Sequence, residues 1–525
     1  MASGSVLLLG LDLGTTFSSL SFAILDPSTT QSLRIQTMSV ARSGRIPTIL
    51  AADPNAAEWG PFIRPGAQTL TLLKLTLPHE EDLPDHPAHS SNLDEVREAI
   101  RVIRHVAGMK GVSVVAKYLS CLWNACKSRI AEEYTLSEDM TVRIVFTIPA
   151  TWREDAIARV WDAILASGIL NIGRSLANME FLTESEAAAL SVLPRLAGSR
   201  RCKASDLVVI CDCGGGTVDV SSYEVISESP LAVRECLAHE SQLCGAIFMA
   251  NSFNSLIYRK IAELAEMRRH VNINRERTVT FMRDDDEVSA VFRSVTNSII
   301  GLARAQVMAL LETRKRLPKV MVLTGGFGCN YFLQEEFSAH FGPMIHALRK
   351  QRIAVSEGAV VGALRSSGNI PRTAAFPSMA PASPEIPIHV VSRIARMSYG
   401  YRCGIEPGNE ITWFIQKGDE VLAGQVKQFD LHRSAFESNI DNGCHYVPIY
   451  RTSDVIPTSS STSQTGPRAY TFCRIKWKAA KELLAWNFAL KVRAYLNGHT
   501  VRFEVVCDGC VLGEDIVVVE TLYRG

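Results

Sequence analysis

The chain carries almost no net charge: 55 lysines and arginines stand against 54 aspartates and glutamates in 525 residues, leaving +1. Such balance gives no electrostatic reason for a nucleic-acid groove or a membrane surface as the main partner, and neither is expected. The N-terminal region lacks a long apolar run. Its longest, Val6 to Leu13, is interrupted by Asp12 and has no basic segment before it, which is too short and too polar for a signal or spanning helix. A cytoplasmic location is expected, with the nucleus left open. There is no disulfide framework either: the 13 cysteines are odd in number and scattered, Cys121, Cys126, Cys211, Cys213 and Cys244 lying in apolar stretches, as reduced core thiols would. The histidines, His239 among them, have no metal-ligand spacing.

What is present is enough chain for several domains and an ordinary core. Residues 6–25, VLLLGLDLGTTFSSLSFAIL, are apolar on both sides of Gly14-Thr15-Thr16 and predict a hairpin. Residues 205–225, SDLVVICDCGGGTVDVSSYEV, repeat that arrangement: buried strand, Asp, glycine turn with Thr, strand. Helical stripes run through Val115, Leu119, Leu122, Trp123, Cys126 and Ile130, and through Ile157, Val160, Trp161, Ile164 and Leu165 up to Gly168. A third runs from Val288 through Val291, Val295, Ile299, Ala303 and Val307 to Leu310, leading into a strand at 320–324. Alternating strands and helices predict α/β architecture. From Ser366 to Pro387 the chain is rich in Pro, Ser and Ala and reads as a linker. Beyond it, Phe488, Leu490, Val492, Ala494 and Leu496 alternate up to Asn497-Gly498, and Val501, Phe503 and Val505 alternate on the return, so the C-terminal module reads as β-rich. The segment PTSSSTSQTGP at 457–467 is polar and low in complexity.

Asp12 and Asp212 each close a strand that reads as buried, where an unpaired carboxylate is costly. Each stands beside a turn of clustered backbone N–H groups and a hydroxyl, Gly14-Thr15-Thr16 and Gly214-Gly215-Gly216-Thr217. This pairing suits Mg²⁺ between carboxylates and phosphate oxygens. Either turn alone is also what a tight glycine hairpin would need; the repetition favours the phosphate reading. A third turn, Thr324-Gly325-Gly326-Phe327-Gly328, follows a strand and opens a helix near Asn330, so a flat ligand can approach the backbone and an anion the helix start. No Walker lysine accompanies these turns, and the first two lie between strands rather than in a Rossmann strand-to-helix turn.

GLDLGTTFS (10–18), CDCGGGTVDVS (211–221) and VMVLTGGFG (320–328) resemble, in order, the first phosphate, second phosphate and adenosine motifs of the actin, hexokinase and seventy-kilodalton heat-shock superfamily. FTIPATW (146–152) and FLTESEAAAL (181–190) are similar to the heat-shock branch. The C-terminal SRIARMSYGYRC and ITWFIQKGDEV look like its divergent branch, which lacks the standard peptide-binding domain.

The resemblance implies a two-lobed, duplicated actin-like ATPase fold with ribonuclease H-like lobes: lobe I at 6–204, lobe II at 205–350, a returning helix at 351–368, a linker at 369–387 and the β-rich module at 388–525. It implies ATP or ADP with Mg²⁺ in the cleft, slow hydrolysis, and protein clients or co-factors that the sequence does not identify. Asp12 and Asp212 match the magnesium-side carboxylates. Gly14, Thr15, Thr16, Gly214, Gly215, Gly216, Thr217, Gly325 and Gly326 match the nucleotide-binding turns. Glu184 matches the glutamate near the γ-phosphate and Asp219 the carboxylate that helps place the attacking water. Lys74, within LLKLTL, matches the catalytic lysine or is an edge lysine whose stem snorkels.

The chain also departs from the pattern. Cys329 stands where an adenine-stacking arginine is expected, Ser356 replaces an acidic residue of the last helix, and Ile157 replaces the basic residue that would answer the switch proline Pro149. The stretch between Gly245 and Val288 is short, with Arg268 and Arg269 the remaining basic candidates. Cys507-Asp508-Gly509-Cys510 reads as a hairpin turn or, less favoured, as a redox or zinc pair. A nucleotide sensor without turnover and, further off, a metabolite kinase are the rival functions.

Overall fold

The computed structural model describes residues 5–518 apart from several stretches, the longest being 26–32, 271–285, 367–373, 376–387, 403–410, 432–439, 457–469 and 478–489. The polar segment 457–467, most of the proline-rich connection, Phe488 and Gly498 fall outside the described residues. The chain is mixed α/β and divides into two compact units: Met1–Leu231 with His239–Ile388, and Ala232–Ala238 with His389–Gly525. The stretch expected as lobe I and most of that expected as lobe II thus fall in the first unit, while residues 232–238 cluster with the second.

Two sheets organise the first unit. In one, Val6–Asp12 pairs antiparallel with Phe17–Leu25 and parallel with Thr141–Ile148, which pairs parallel with Asn178–Thr183. In the other, Leu207–Cys213 pairs antiparallel with Val218–Glu228 and parallel with Val320–Thr324, which pairs parallel with Ile345–Ala347. Order and sense are the same in both. The central strands are buried along most of their length and apolar except for Asp12 and Asp212 near their ends, the pattern of strands covered on both faces.

Helices supply that cover. Gly111–Glu133 buries the row Val115, Leu119, Leu122, Trp123, Cys126 and Ile130. Glu154–Ser167 ends at Gly168, whose φ of +76° is the left-handed cap that glycine adopts freely. Leu165 is a correction to its stripe: it is exposed, while Ala156 and Ala163 are buried, because the buried face is narrower than the apolar pattern. Glu184–Gly198 begins at Thr183, whose hydroxyl accepts from the Glu186 N–H and satisfies one of the open donors of the first turn. Asp286–Arg314 buries Val295, Ile299, Ala303, Val307 and Leu310. By length and composition it could cross a membrane, but half of its apolar window is buried inside the fold.

The second unit is built from antiparallel sheets. Ile411–Ile415, Ser398–Arg402, Cys444–Thr452 and Tyr470–Trp477 are successive neighbours in one. Val426–Leu431, Leu490–Asn497, Thr500–Cys507 and Cys510–Val518 form another. Both contribute to one core containing Val447, Ile449, Ile475, Val492, Phe503 and Val505. Cys444–Thr452 alternates buried with partly exposed residues, the pattern of strands with one wet face. Asn497 pairs with Thr500, and Cys507 with Cys510, while Asp508 and Gly509 of the Cys-Asp-Gly-Cys segment lie outside the described residues.

Candidate functional site

The two repeated strands end alike. Asp12 lies opposite Ser19 on the hairpin side and Thr147 on the parallel side; Asp212 lies opposite Asp219 and Thr324. The Thr147 hydroxyl donates to Asp12 Oδ1 at 3.4 Å and the Ser19 hydroxyl to Oδ2 at 3.5 Å. The Thr324 hydroxyl donates to Asp212 Oδ1 at 3.0 Å. Each parallel neighbour therefore supplies a threonine that orients the carboxylate.

The glycine turns beyond these aspartates touch one another. A methyl group on Gly215 would lie 1.9 Å from Thr16 Oγ1, and one on Gly216 would lie 2.6 Å from Thr15 Oγ1, so no side chain fits at either position. The third turn closes on the same place, since a methyl on Gly325 would stand 2.5 Å from Asp212 Oδ1.

Around these turns lies a cleft of about 600 Å³ that includes open solvent. Every expected site residue lines it except Gly216 and Asp219. Lys74 comes from a short 3₁₀ turn, Leu73–Thr76, and is buried. Its Nζ donates to Oε1 of Glu184, the first residue of its helix and also buried, and lies 5.7 Å from the Trp152 ring. The snorkelling-lysine alternative is overturned: the ammonium group points inward because Glu184 holds it there.

Charge in this cleft is poorly solvated. Burial, then Glu184, raises the Asp12 carboxyl to about 7 against partial relief from Lys74, Thr147 and Ser19. Burial, then Asp219, Glu184 and Asp12, raises Asp212 to about 8. Burial and Glu184 raise Asp219 to about 7. Burial alone would pull Lys74 down, yet Glu184 and Asp12 outweigh it and raise its pKa. Carboxylates gathered beside one ammonium are a receptive place for a further cation. Among the described residues no three His, Cys, Asp or Glu side chains form a metal cage.

The cleft also contains residues that sequence reasoning missed: Phe17, Arg45 and Arg352. Arg45 follows Ser43-Gly44 with no motif around it, and Arg352 precedes the last helix. Neither position carries a local signal. The cysteines near the site are structural, for burial pushes the thiols of Cys211, Cys213 and Cys244 well above their ordinary range. No protein-family model matches the chain, and no curated protein is significantly similar to it.

Proposed function

We propose that the first unit binds ATP or ADP with Mg²⁺ in this cleft and hydrolyses ATP slowly, as a divergent relative of the heat-shock nucleotide-binding domain with two duplicated actin-like lobes. One observation carries the reading. Asp12, Lys74, Glu184 and Asp212, far apart in sequence, line a single cavity with two glycine-threonine turns. The repeated strand order of the two sheets supports the duplication.

Asp12 and Asp212 would hold the metal. Mg²⁺ usually keeps several waters and takes one or two carboxylates plus phosphate oxygens, so an all-protein cage is not required. When bound, it neutralises charge on the transferring phosphoryl group. The chain's own contribution is positioning. Backbone N–H groups of the turns and the hydroxyls of Thr15, Thr16 and Thr217 suit phosphate oxygens. Lys74, kept charged and aimed by Glu184, suits the outer phosphate. Glu184, on the cavity wall, can orient water, while Asp219 acts from behind through Asp212, its partner across the hairpin.

That placement of Asp219 also favours a second reading, a nucleotide sensor without turnover. Calorimetric titration with Mg-ATP and Mg-ADP, followed by single-turnover mixing with labelled ATP, decides between them. Binding with product formed faster than in buffer supports the ATPase. Binding without product selects the sensor, and no binding of either nucleotide refutes both.

A further inference from the structure

We propose that the helix Ala354–Ser366 holds the cation site from behind: Ser356 fixes the Ser19 hydroxyl, Ser19 fixes the Asp12 carboxylate, and the rigidity so gained makes the cleft prefer Mg²⁺, a small cation of strict geometry, over Ca²⁺. This rests on the nucleotide reading above, in which Asp12 is a metal-side carboxylate. Ser19 and Ser21 are two apart in the strand Phe17–Leu25 and share one face of it. Ser356, in the first turn of the helix, meets both. Its hydroxyl accepts from Ser19 at 3.0 Å, bonds that of Ser21 at 2.9 Å, and reaches the Ile353 carbonyl at 3.2 Å. Ser21 in turn bonds Thr37, on the edge strand Gln36–Thr37, at 2.9 Å. The three serines are buried, so bulk water has little access to these bonds.

Asp12 stands directly across the hairpin from Ser19, whose hydroxyl also reaches its Oδ2 at 3.5 Å. A serine has one hydrogen to give, and Ser356 and Asp12 both draw on it. The Ser19 oxygen is thereby fixed between the helix and the carboxylate. The helix itself is closely seated. A methyl group on Gly10, two residues before Asp12, would run into the Ser356 carbonyl oxygen, and one on Gly358 into the Ala187 carbonyl. Glu357 pairs with Arg195. The helix thus lies backbone to backbone on the strand that ends in Asp12 and on the helix that begins with Glu184. Mg²⁺ demands near-octahedral geometry at short distances, whereas Ca²⁺ accepts larger and looser arrangements. An Asp12 carboxylate met by one hydroxyl on each oxygen, Thr147 on Oδ1 and Ser19 on Oδ2, suits the stricter ion.

The test is calorimetry on the full chain with ADP in Mg²⁺, in Ca²⁺ and in EDTA. The wild type should bind tighter with Mg²⁺ than with Ca²⁺. Ser356→Ala and Ser19→Ala should each weaken Mg-ADP about tenfold, as the loss of a group that holds a metal ligand does, weaken Ca-ADP less than about threefold, and leave ADP in EDTA unchanged. Because Ser356 acts through Ser19, the double variant should bind no weaker than Ser19→Ala alone. Ser222→Ala, which removes a buried hydroxyl bonded to Gln306 at 3.0 Å, should leave all three affinities as they are. If Ser356→Ala does not fold, Ser356→Cys, close in size but a weak hydrogen-bonding partner, takes its place. A wild type that binds ADP without preferring Mg²⁺, variants that bind Mg-ADP like the wild type, equal losses in all three conditions, or losses that add in the double variant overturn the proposal. A wild type that binds ADP in none of the three overturns the nucleotide reading, and the proposal with it.

Discussion

Replacing Asp212 with asparagine should stabilise the ligand-free protein at pH 8. In the folded chain burial is the largest cause, followed by Asp219, Glu184 and Asp12, of a carboxyl that holds its proton up to about 8, against an ordinary value of 3.8. Between those two values the folded state binds more protons than the unfolded state, so stability falls as pH rises. The loss begins near pH 4 and is complete above about 8. At about 1.4 kcal/mol for each tenfold change in proton affinity, the ceiling is roughly 5–6 kcal/mol, less whatever water entry relieves. Asparagine keeps the shape and an Oδ1 that can accept from Thr324, but it cannot ionise. Melting curves in EDTA at pH 5.5 and 8 measure the effect. At about 2 °C per kcal/mol for a body of this size, the wild type should lose on the order of 5 °C more than the variant over that interval, while Asp12 and Asp219, also raised to about 7, go on costing both proteins. Equal losses in both proteins would refute the reasoning. With Mg-ATP at pH 8 the order should reverse, the wild type gaining stability and the variant not.

Lys74→Met leaves the Glu184 carboxylate buried without its cation and should cost about 3–5 kcal/mol in urea unfolding, most of it recovered by adding Glu184→Gln. Thr183→Ala removes the cap that starts the Glu184 helix and should cost about 1 kcal/mol while also slowing single-turnover hydrolysis. Asn330→Ala, which uncaps Tyr331–Phe341, should cost about as much without that change in rate. Asp12→Asn should weaken nucleotide binding in Mg²⁺ and leave binding in EDTA nearly unchanged. Asp219→Asn, off the cavity wall, should leave affinity within a few-fold and slow turnover. Equal affinity losses in these last two variants, measured by calorimetry, would contradict their separate roles.

The hairpins at Asp12 and Asp212 were legible because a short apolar run, an acidic residue and a glycine turn are a local signal that occurs twice. The parallel strands that complete each sheet were not tied to them, since pairing over long stretches of chain leaves no local mark. The hydroxyls of Thr147 and Thr324 went unseen for the same reason: a threonine at a strand end is ordinary until its neighbour is known. Lys74 read both ways from its flanks, and the partner that decides it lies 110 residues on. Residues 232–238 belong to the second unit although the sequence places them in lobe II; the burial pattern along a strand says which face is buried, not which body it joins.

The same limit explains why aspartates were easier to find than arginines. A carboxylate inside an apolar strand is costly, so it stands out before anything is known of its surroundings. An arginine in a polar turn costs nothing there and gains meaning only when folding brings it beside Phe17 and Gly326. The costly residues also imply something about energetics. Asp12, Asp212 and Asp219 all resist ionisation in the empty cleft near neutral pH, which takes stability from the fold. A ligand that binds only the folded state returns RT ln(1 + [L]/Kd), about 2.7 kcal/mol at a hundredfold excess over Kd. That is the same order as the ionisation loss. If the cleft takes a cation and an anionic ligand together, the buried carboxylates that burial and mutual repulsion make costly in the empty protein become the charges that hold the cation. The arrangement of threonine hydroxyls, glycine turns and one inward lysine keeps the carboxylates in place in the meantime.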